Sequence, residues 1–202
     1  MTAKIKLNSA SGGGSFSLQA PSSSSNNRVI TLPDIADGTL LTSSSGVGIT
    51  MADQWRITST FQVTSNAYVT TNWERNDTAG YAKIGTGMSE SSGVFSFPET
   101  GIYLVGINLT GNADGGGFNY IAGSIYTTLN NSSYTQSAST YESTDASNRH
   151  WATATEFLFD VTDVSNCKVK FFVSSSSSQK AYVYGDGSLN TTFAHFTRLG
   201  DT

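Results

Sequence analysis

Much of the chain alternates apolar and polar residues at every second position, which is the period of a β-strand with one buried face. Runs beginning at residues 55, 121, 151 and 169 show this pattern, and polar residues such as Arg56, Lys168 and Lys170 fall on the opposite faces. The apolar residues that share a face in each run are Trp55, Ile57, Phe61 and Val63; Ile121, Ile125 and Leu129; Trp151, Phe157, Phe159 and Val161; and Val169, Phe171 and Val173. Turn-forming residues at 130–131, 163–166, 174–178 and 185–187 separate the runs. The sequence therefore predicts an all-β sandwich, and the number of strands favours a jelly roll over a smaller immunoglobulin-like fold.

The segment 93–111 predicts two strands that pair across a turn, because Pro98 and Gly101 interrupt two apolar runs. Beyond the turn, Ile102 and Leu104 give the second strand apolar residues on both of its faces. The other face carries Tyr103, Val105, Ile107 and Leu109. A sheet with one solvent-exposed face would not carry apolar residues on both faces, so we expect another surface to cover Ile102 and Leu104.

This segment and the end of the chain resemble the signature strands of complement globular-head and tumour-necrosis-factor-like (TNF-like) domains. The family phrase G-x-F-x-x-P-x-x-G-x-Y is matched at Phe95, Pro98, Gly101 and Tyr103. The closing strand is matched at Phe193, Phe196 and Leu199, while Ala194 and His195 depart from the family pattern. The resemblance covers residues 55–201 and implies a TNF-like ten-stranded jelly-roll sandwich that assembles as a homotrimer. Such a trimer would bury the second apolar face.

Residues 1–50 are predicted to form a stem or attachment segment, and residues 51–202 a jelly-roll head. Two strand candidates, 15–19 and 28–32, precede a Ser/Gly-rich boundary. The stem has too few large apolar groups to fold alone, so we expect it to gain its partners from other chains; low-complexity disorder is the alternative. The amino-acid sequence of residues 4–46 resembles shaft modules of tail-fibre-like proteins from marine phages, including those infecting cyanobacteria. That resemblance implies a virion protein with an extended, β-rich stem.

Composition excludes several function classes. Charged residues make up 13% of the 202 residues, and 11 Lys and Arg against 15 Asp and Glu give a net charge of −4 without a basic cluster. Nucleic acid is therefore not an expected partner, because its binding depends on phosphate neutralisation. The single cysteine allows no intrachain disulfide. No apolar run approaches the roughly 20 residues that cross a bilayer, so membrane insertion is not expected either.

Candidate chemistry is sparse, and we expect no enzymatic activity, no cofactor and no resident metal. His150 and His195 are the two histidines, and neither lies in a recognisable nucleophile motif. Glycan cleavage would need two carboxylates across a groove, which sequence spacing cannot establish; the candidates are Glu74, Asp77, Glu90, Glu142, Asp145 and Glu156. Calcium at Asp186, in the loop before the closing strand, is a lesser alternative to a simple tight turn.

Binding is the better-supported role. Several aromatic residues lie among Asn and Ser in loop or edge contexts, where flat rings beside hydroxyl and amide groups suit sugars and protein surfaces. The candidate receptor-binding residues are Tyr120, Tyr126, Tyr134 and Tyr141, with Trp73 and Tyr81 in similar contexts. Loops at the end of the head distal to the stem are the expected site. The alternative is that most of these rings fill the core or the seam between subunits.

Taken together, the pattern and the two resemblances predict a short homotrimeric phage fibre or spike located on the virion, at the tail or the capsid surface. Residues 1–50 would contact other virion proteins, and the head would contact a host-surface glycan or protein. Two alternatives remain open at this point. The protein could be a capsid decoration protein (a head fibre) that stabilises the shell, or a glycan-degrading spike.

Overall fold

The computed structural model describes residues 4–8, 11–13, 15–19, 23, 48–176 and 180–202. The chain divides into two units, Met1–Leu40 and Leu41–Thr202. The predicted division at residue 50 stays a prediction. Among the described residues, no helix is long and apolar enough to span a membrane.

In the first unit, β1 (Lys4–Asn8) and β2 (Ser15–Gln19) pair antiparallel, with Lys4 opposite Gln19 and Asn8 opposite Ser15. The strand predicted at 15–19 is therefore confirmed. β1 and β2 are partners of one another within the chain, and the expectation that this segment also gains partners from other chains stays a prediction. The strand predicted at 28–32 lies outside the described residues.

The second unit is all-β in its described residues, as predicted. Its thirteen described strands outnumber the ten of the predicted jelly roll, and five of them, β4 to β8, are only two to four residues long. The strands are β3 (Ala52–Ile57), β4 (Ser59–Gln62), β5 (Ala67–Tyr68), β6 (Trp73–Arg75), β7 (Ser89–Ser91), β8 (Val94–Ser96), β9 (Gly101–Ala113), β10 (Phe118–Thr128), β11 (Thr135–Thr144), β12 (His150–Val161), β13 (Lys168–Ser175), β14 (Ala181–Asp186) and β15 (Phe193–Gly200).

These strands form two antiparallel sheets. In the first sheet, the strand order is β4-β14-β9-β15-β3-β6, and β12 pairs with β9 along nearly its whole length. In the second sheet, the order is β11-β10-β13-β8-β7, and β5 pairs with β13. Neighbours in the sheets are often distant in sequence, so the side chains of any one face come from several separate segments.

The core lies between the two sheets. The predicted apolar face of β9 is confirmed, since Tyr103, Val105, Ile107 and Leu109 are all buried. Phe95 on β8 of the second sheet contacts rings from both sheets, with ring centroids 5.6 Å from Trp55, 5.1 Å from Trp73, 5.4 Å from Phe171 and 5.1 Å from Phe196. Such edge-to-face and tilted ring contacts add to the burial of apolar area. Phe95 therefore connects the two layers at the centre of the core.

The predicted pairing of two strands across Pro98 is wrong. β8 belongs to the second sheet and pairs with β13 and β7, whereas β9 belongs to the first sheet. Phe97 is buried and its ring lies 4.6 Å from that of Tyr103, so the chain crosses from one layer to the other at this turn. A turn between two apolar runs is equally compatible with a hairpin and with a crossing between sheets.

The runs at 55–63 and 121–129 also differ from prediction. The first run is two strands, β3 and β4, that break at Thr58 because they pair with different neighbours. Arg56, predicted on a polar face, has a fully buried side chain. In the second run, Ile121 and Ile125 are buried as expected, but Leu129 follows the end of β10 and is 67% exposed.

Candidate binding faces

The predicted receptor-binding tyrosines all lie near the outer face of the second sheet. Tyr120 and Tyr126 are on β10, Tyr141 is on β11, and Tyr134 is in the loop between these strands. Even-numbered residues of β10 from 120 to 126 point away from the core, because Ile121 and Ile125 point into it. Three of the four therefore lie on strands rather than on the distal loops where we expected the site.

Tyr126 and Tyr134 belong to one group of rings, which we call the aromatic cluster: Tyr68, Tyr126, Tyr134 and Phe172. The Tyr68 ring lies 5.3 Å from Tyr126, 5.2 Å from Phe172 and 6.4 Å from Tyr134. The Lys170 ammonium lies 4.1 Å from the centroid of Tyr134 and 5.1 Å from that of Tyr68, within the range of a cation–π interaction. These contacts fix the orientation of half-buried rings on an outer surface.

Burial changes the acidity of two hydroxyls in the aromatic cluster. It raises the pKa of Tyr68, and the neighbouring Tyr126 raises it further. Burial likewise raises the pKa of Tyr134, with a smaller contribution from Tyr68. Both hydroxyls therefore remain protonated and can donate hydrogen bonds at neutral pH.

Tyr120 and Tyr141 form a second group, which we call the tyrosine pair. Their ring centroids lie 5.8 Å apart at an interplanar angle of 77°, an edge-to-face contact. Tyr141 is 63% exposed, so most of its ring is open to solvent. Tyr120 and Tyr126 are six positions apart on β10, about 20 Å, whereas Tyr141 lies opposite Ala122, four positions or about 13 Å along the strand from Tyr126.

Neutral hydrogen-bonding groups lie between the two groups of rings. The hydroxyl oxygens of the buried Ser124 and the half-buried Ser139 are 2.9 Å apart across β10 and β11. The Gln136 side-chain amide donates to the Ser124 hydroxyl at 3.3 Å, and the Tyr126 hydroxyl donates to the Gln136 side-chain oxygen at 3.3 Å. We refer to the tyrosine pair, these polar groups and the aromatic cluster together as the outer strip.

Sequence reasoning missed Tyr68, Phe172 and Lys170. A signal for Phe172 was present, because a large apolar residue interrupts the polar face of β13. The two other aromatic residues that the sequence singled out lie elsewhere. Trp73 packs against the core, 5.1 Å from Phe95, and Tyr81 donates a hydrogen bond to Asp53 at 2.6 Å.

The outer face of the first sheet is different in character. Leu104 on β9 lies directly opposite Leu158 on β12, and Leu158 is 58% exposed. Leu199, near the end of β15, is 51% exposed, and Ile102 is only half-buried. This apolar face, defined by Ile102, Leu104, Leu158 and Leu199, is the second apolar face expected from the sequence.

His195 lies beside the apolar face. Gly106 separates it from Glu156 in the sheet register, and the His195 Nε2 is 3.1 Å from the Glu156 Oε1. A Cβ at Gly106 would overlap the imidazole, so glycine permits the ring to lie against the β9 backbone. His195 therefore packs on the outer face of β15, against the neighbouring strand.

Comparisons with known proteins identify similar folds but no related sequence. No protein-family model matches the chain, and no curated protein matches it. The TNF protein Eiger from S. frugiperda matches with a TM-score of 0.57 at 12% identity, over 77% of this chain and 95% of that one. Murine APRIL matches with a TM-score of 0.52 at 11% identity, over 74% of this chain and 98% of that one. The head has a TNF-like jelly-roll fold.

Two of the six candidate carboxylates of this TNF-like head meet at the buried Arg56. The Arg56 Nη2 lies 3.0 Å from the Glu74 Oε2 and also contacts the Asp77 carboxylate. Glu156 bonds His195, as described above. The three remaining carboxylates make local contacts: Glu90 accepts from the Gly93 amide and Glu142 from the Ser143 amide, while Asp145 lies 4.0 Å from Arg149. The arrangement gives Glu74 and Asp77 a structural role in covering Arg56.

Asp186 forms a turn. Its Oδ1 accepts hydrogen bonds from the Ser188 amide at 2.6 Å and the Leu189 amide at 3.1 Å. This is the geometry in which an Asp side chain replaces a backbone acceptor at a tight turn. Within the described ranges, no group of three or more His, Cys, Asp or Glu residues could hold a metal ion.

Alkaline pH is expected to destabilise the head. Burial raises the pKa of Tyr81 and of Tyr103 from 10.0 to about 12, with added contributions from Asp53 and Glu99 respectively. Between these values the unfolded chain has lost the protons that the folded chain keeps, so stability falls as the pH rises from about 10 to about 12. Thermal unfolding across this range should show the fall. Tyr81→Phe should make the dependence shallower, and an unchanged slope would contradict the assignment to Tyr81.

Proposed function

We propose that this protein is a homotrimeric, non-enzymatic binding head of a short virion fibre, and that it attaches the particle to the host surface. The observation that carries the proposal is the apolar face of the first sheet. Leu104 and Leu158 are opposite one another on β9 and β12, with Ile102 and Leu199 adding to the same surface. Contiguous exposed apolar residues on a soluble protein commonly mark an interface.

A second copy of the chain is the proposed cover for this face. The TNF-like fold supports trimeric closure, as does the resemblance of the sequence to a trimer-forming family. In a closed three-membered ring, each head contacts one neighbour with one patch and the other neighbour with a second, complementary patch, which removes apolar area from water without leaving an open end. The outer strip lies on the other sheet, so closure through the first sheet would leave it available for binding.

Trimer formation would also allow firm attachment to the host through receptor-binding sites that are individually weak. Three identical sites on one rigid head, repeated over a particle, raise avidity without new contacts. Residues 1–50 would attach the head to other virion proteins. Labelling of intact virions with an antibody against the head should place it at the tail. Label on the capsid would instead favour decoration of the shell.

Replacing Leu158 with arginine is expected to dissociate the assembly. A long charged side chain at the apolar face would lose hydration on closure and would not fit the space that leucine fills, which is strongly unfavourable. Light scattering coupled to size-exclusion chromatography should give three times the 21.4 kDa chain mass for the wild type and a smaller mass for Leu158→Arg. Leu189→Arg is the matched control, because Leu189 is similarly exposed, at 61%, but lies in the loop before β15. A monomeric wild type would refute the proposed assembly.

Attachment itself can be tested with the purified head. It should bind to host cells and compete with particle adsorption, and Leu158→Arg should compete much less because its avidity is lost. A wild-type trimer that neither binds cells nor reduces adsorption would contradict the attachment role. Release of new reducing ends from host polysaccharide would instead indicate a glycan-degrading spike.

A further inference from the structure

We propose that the outer strip binds a linear polysaccharide, which would lie along β10 with sugar rings packed against the aromatic cluster at one end and the tyrosine pair at the other. This inference rests on the proposed attachment function and assigns it a site and a ligand class. The sequence had left a glycan and a protein open as ligands for the head.

The first argument is the alternation of surface chemistry. A sugar ring combines an apolar face of C–H groups with a rim of hydroxyls, so it needs flat aromatic surfaces beside hydrogen-bonding groups. The outer strip supplies rings at both ends. Between them it supplies the Gln136 amide and the Ser139 hydroxyl, both bonded to the buried Ser124 hydroxyl beneath them. These neutral groups can exchange hydrogen bonds with sugar hydroxyls in both directions.

The second argument is preorganisation. Tyr68 is held by ring contacts with Tyr126 and Phe172 at 5.3 and 5.2 Å, and Lys170 lies over both Tyr68 and Tyr134. Rings that already occupy fixed orientations lose little conformational entropy when a ligand binds. The cluster thus has the properties of a built binding surface on the outside of the sheet.

The third argument is shape. The strip is extended along β10, because Tyr120 and Tyr126 are six residues apart, about 20 Å, and Tyr141, opposite Ala122, lies about 13 Å along the strand from Tyr126. An extended chain of sugars can contact both ends at once, whereas a single sugar can contact only one. The contrast with the first sheet supports the same conclusion. The exposed residues there are aliphatic, which suits a second copy of this chain, while the strip combines rings with hydroxyls.

The test measures binding of oligosaccharides of increasing length, cut from glucan, mannan, galactan and polyuronate chains, to the intact wild-type protein by calorimetry. We expect at least one series to bind, with affinity rising until the ligand spans both groups of rings. Tyr126→Ala and Tyr141→Ala should each weaken a spanning ligand by about tenfold or more, since a buried aromatic contact commonly contributes above 1 kcal/mol. A short ligand should be sensitive to only one of the two substitutions.

Two variants control for indirect effects. Tyr126→Phe keeps the ring and should retain most of the affinity. Tyr184→Ala removes a half-buried tyrosine of the first sheet, whose hydroxyl lies 3.1 Å from the His150 Nδ1, and should bind as the wild type does. The mass of each variant in solution shows whether it still assembles. If Tyr126→Ala or Tyr141→Ala alters the oligomeric state, the strip is an interface between copies and the inference is wrong.

The remaining outcomes separate the inference from the proposed function. If the wild type binds host cells but none of the oligosaccharides, or if both alanine variants bind glycan normally, the outer strip is not the glycan site and the attachment role survives. If the wild type binds oligosaccharides through the strip but does not bind host cells, the site stands and the attachment role fails.

Discussion

Phe95→Ala is expected to lower the free energy of unfolding by about 3 to 5 kcal/mol, the range typical of large aromatic truncations in a core. Phe95 is fully buried and contacts Trp55 and Phe196 of the first sheet as well as Phe171 of the second. Its removal would leave a cavity between the two layers, and the surrounding rings can close such a cavity only in part. Urea unfolding at a fixed chain concentration measures the change, because stability of an oligomer depends on concentration.

Two further variants make the Phe95 result specific. Phe95→Leu keeps much of the volume and should cost clearly less than Phe95→Ala. Leu129→Ala removes apolar atoms from a residue that is 67% exposed, and its effect should stay within about 0.5 kcal/mol. Equal losses for Phe95→Ala and Leu129→Ala would show that Phe95 does not connect the two sheets as described.

Asp53→Ala is expected to cost about 3 kcal/mol, because the carboxylate satisfies several donors in a buried place. Its Oδ2 accepts from the Met88 amide at 2.8 Å and the Trp55 indole at 3.0 Å, and the Arg75 Nε lies 3.2 Å away. Its Oδ1 accepts from the Tyr81 hydroxyl at 2.6 Å. Alanine would leave these donors without their acceptor. Calorimetric or urea unfolding of the variant measures the loss.

Titration of Tyr81 tests whether the Asp53 carboxylate contacts it as described. Burial is the largest reason for the raised pKa of Tyr81, and Asp53 adds to it. In Asp53→Asn the negative charge is gone, so the pKa of Tyr81 should fall from about 12 while remaining above 10.0, because the burial persists. Asp114→Ala, at an exposed carboxylate, is the control and should change stability by less than about 0.5 kcal/mol. An unchanged Tyr81 titration in Asp53→Asn would contradict the described network.

The alternation of apolar and polar residues was sufficient to predict the buried residues of strands such as β12 and β13. In β12, Trp151, Phe159 and Val161 are buried as predicted, and in β13 Val169 and Phe171 are buried opposite Lys170. The two-residue period of a strand is set by backbone geometry alone, so it is readable from the sequence. The resemblance through Phe95, Pro98, Gly101 and Tyr103 then predicted the TNF-like jelly roll.

Local pattern failed where long-range neighbours decide the environment. Arg56 alternates like a surface residue, yet its side chain is buried because Glu74 and Asp77 close over it from a separate segment. The assignment of β8 and β9 to different sheets likewise depends on their separate hydrogen-bond partners, β13 and β15. Neither the burial of Arg56 nor the sheet assignment of β8 and β9 can be read from the residues of the segment itself.

The amino-acid sequence by itself determined the all-β class, most of the buried faces and the second apolar face at Ile102 and Leu104, and it put forward four tyrosines as a candidate site. Only the tertiary structure decided which rings meet. Tyr68 reaches Phe172 from more than a hundred positions away because β5 pairs with β13. Such pairings are set by the packing of whole sheets, which depends on all strands together. Alternation is a property of each strand's own backbone, so it can be read one segment at a time.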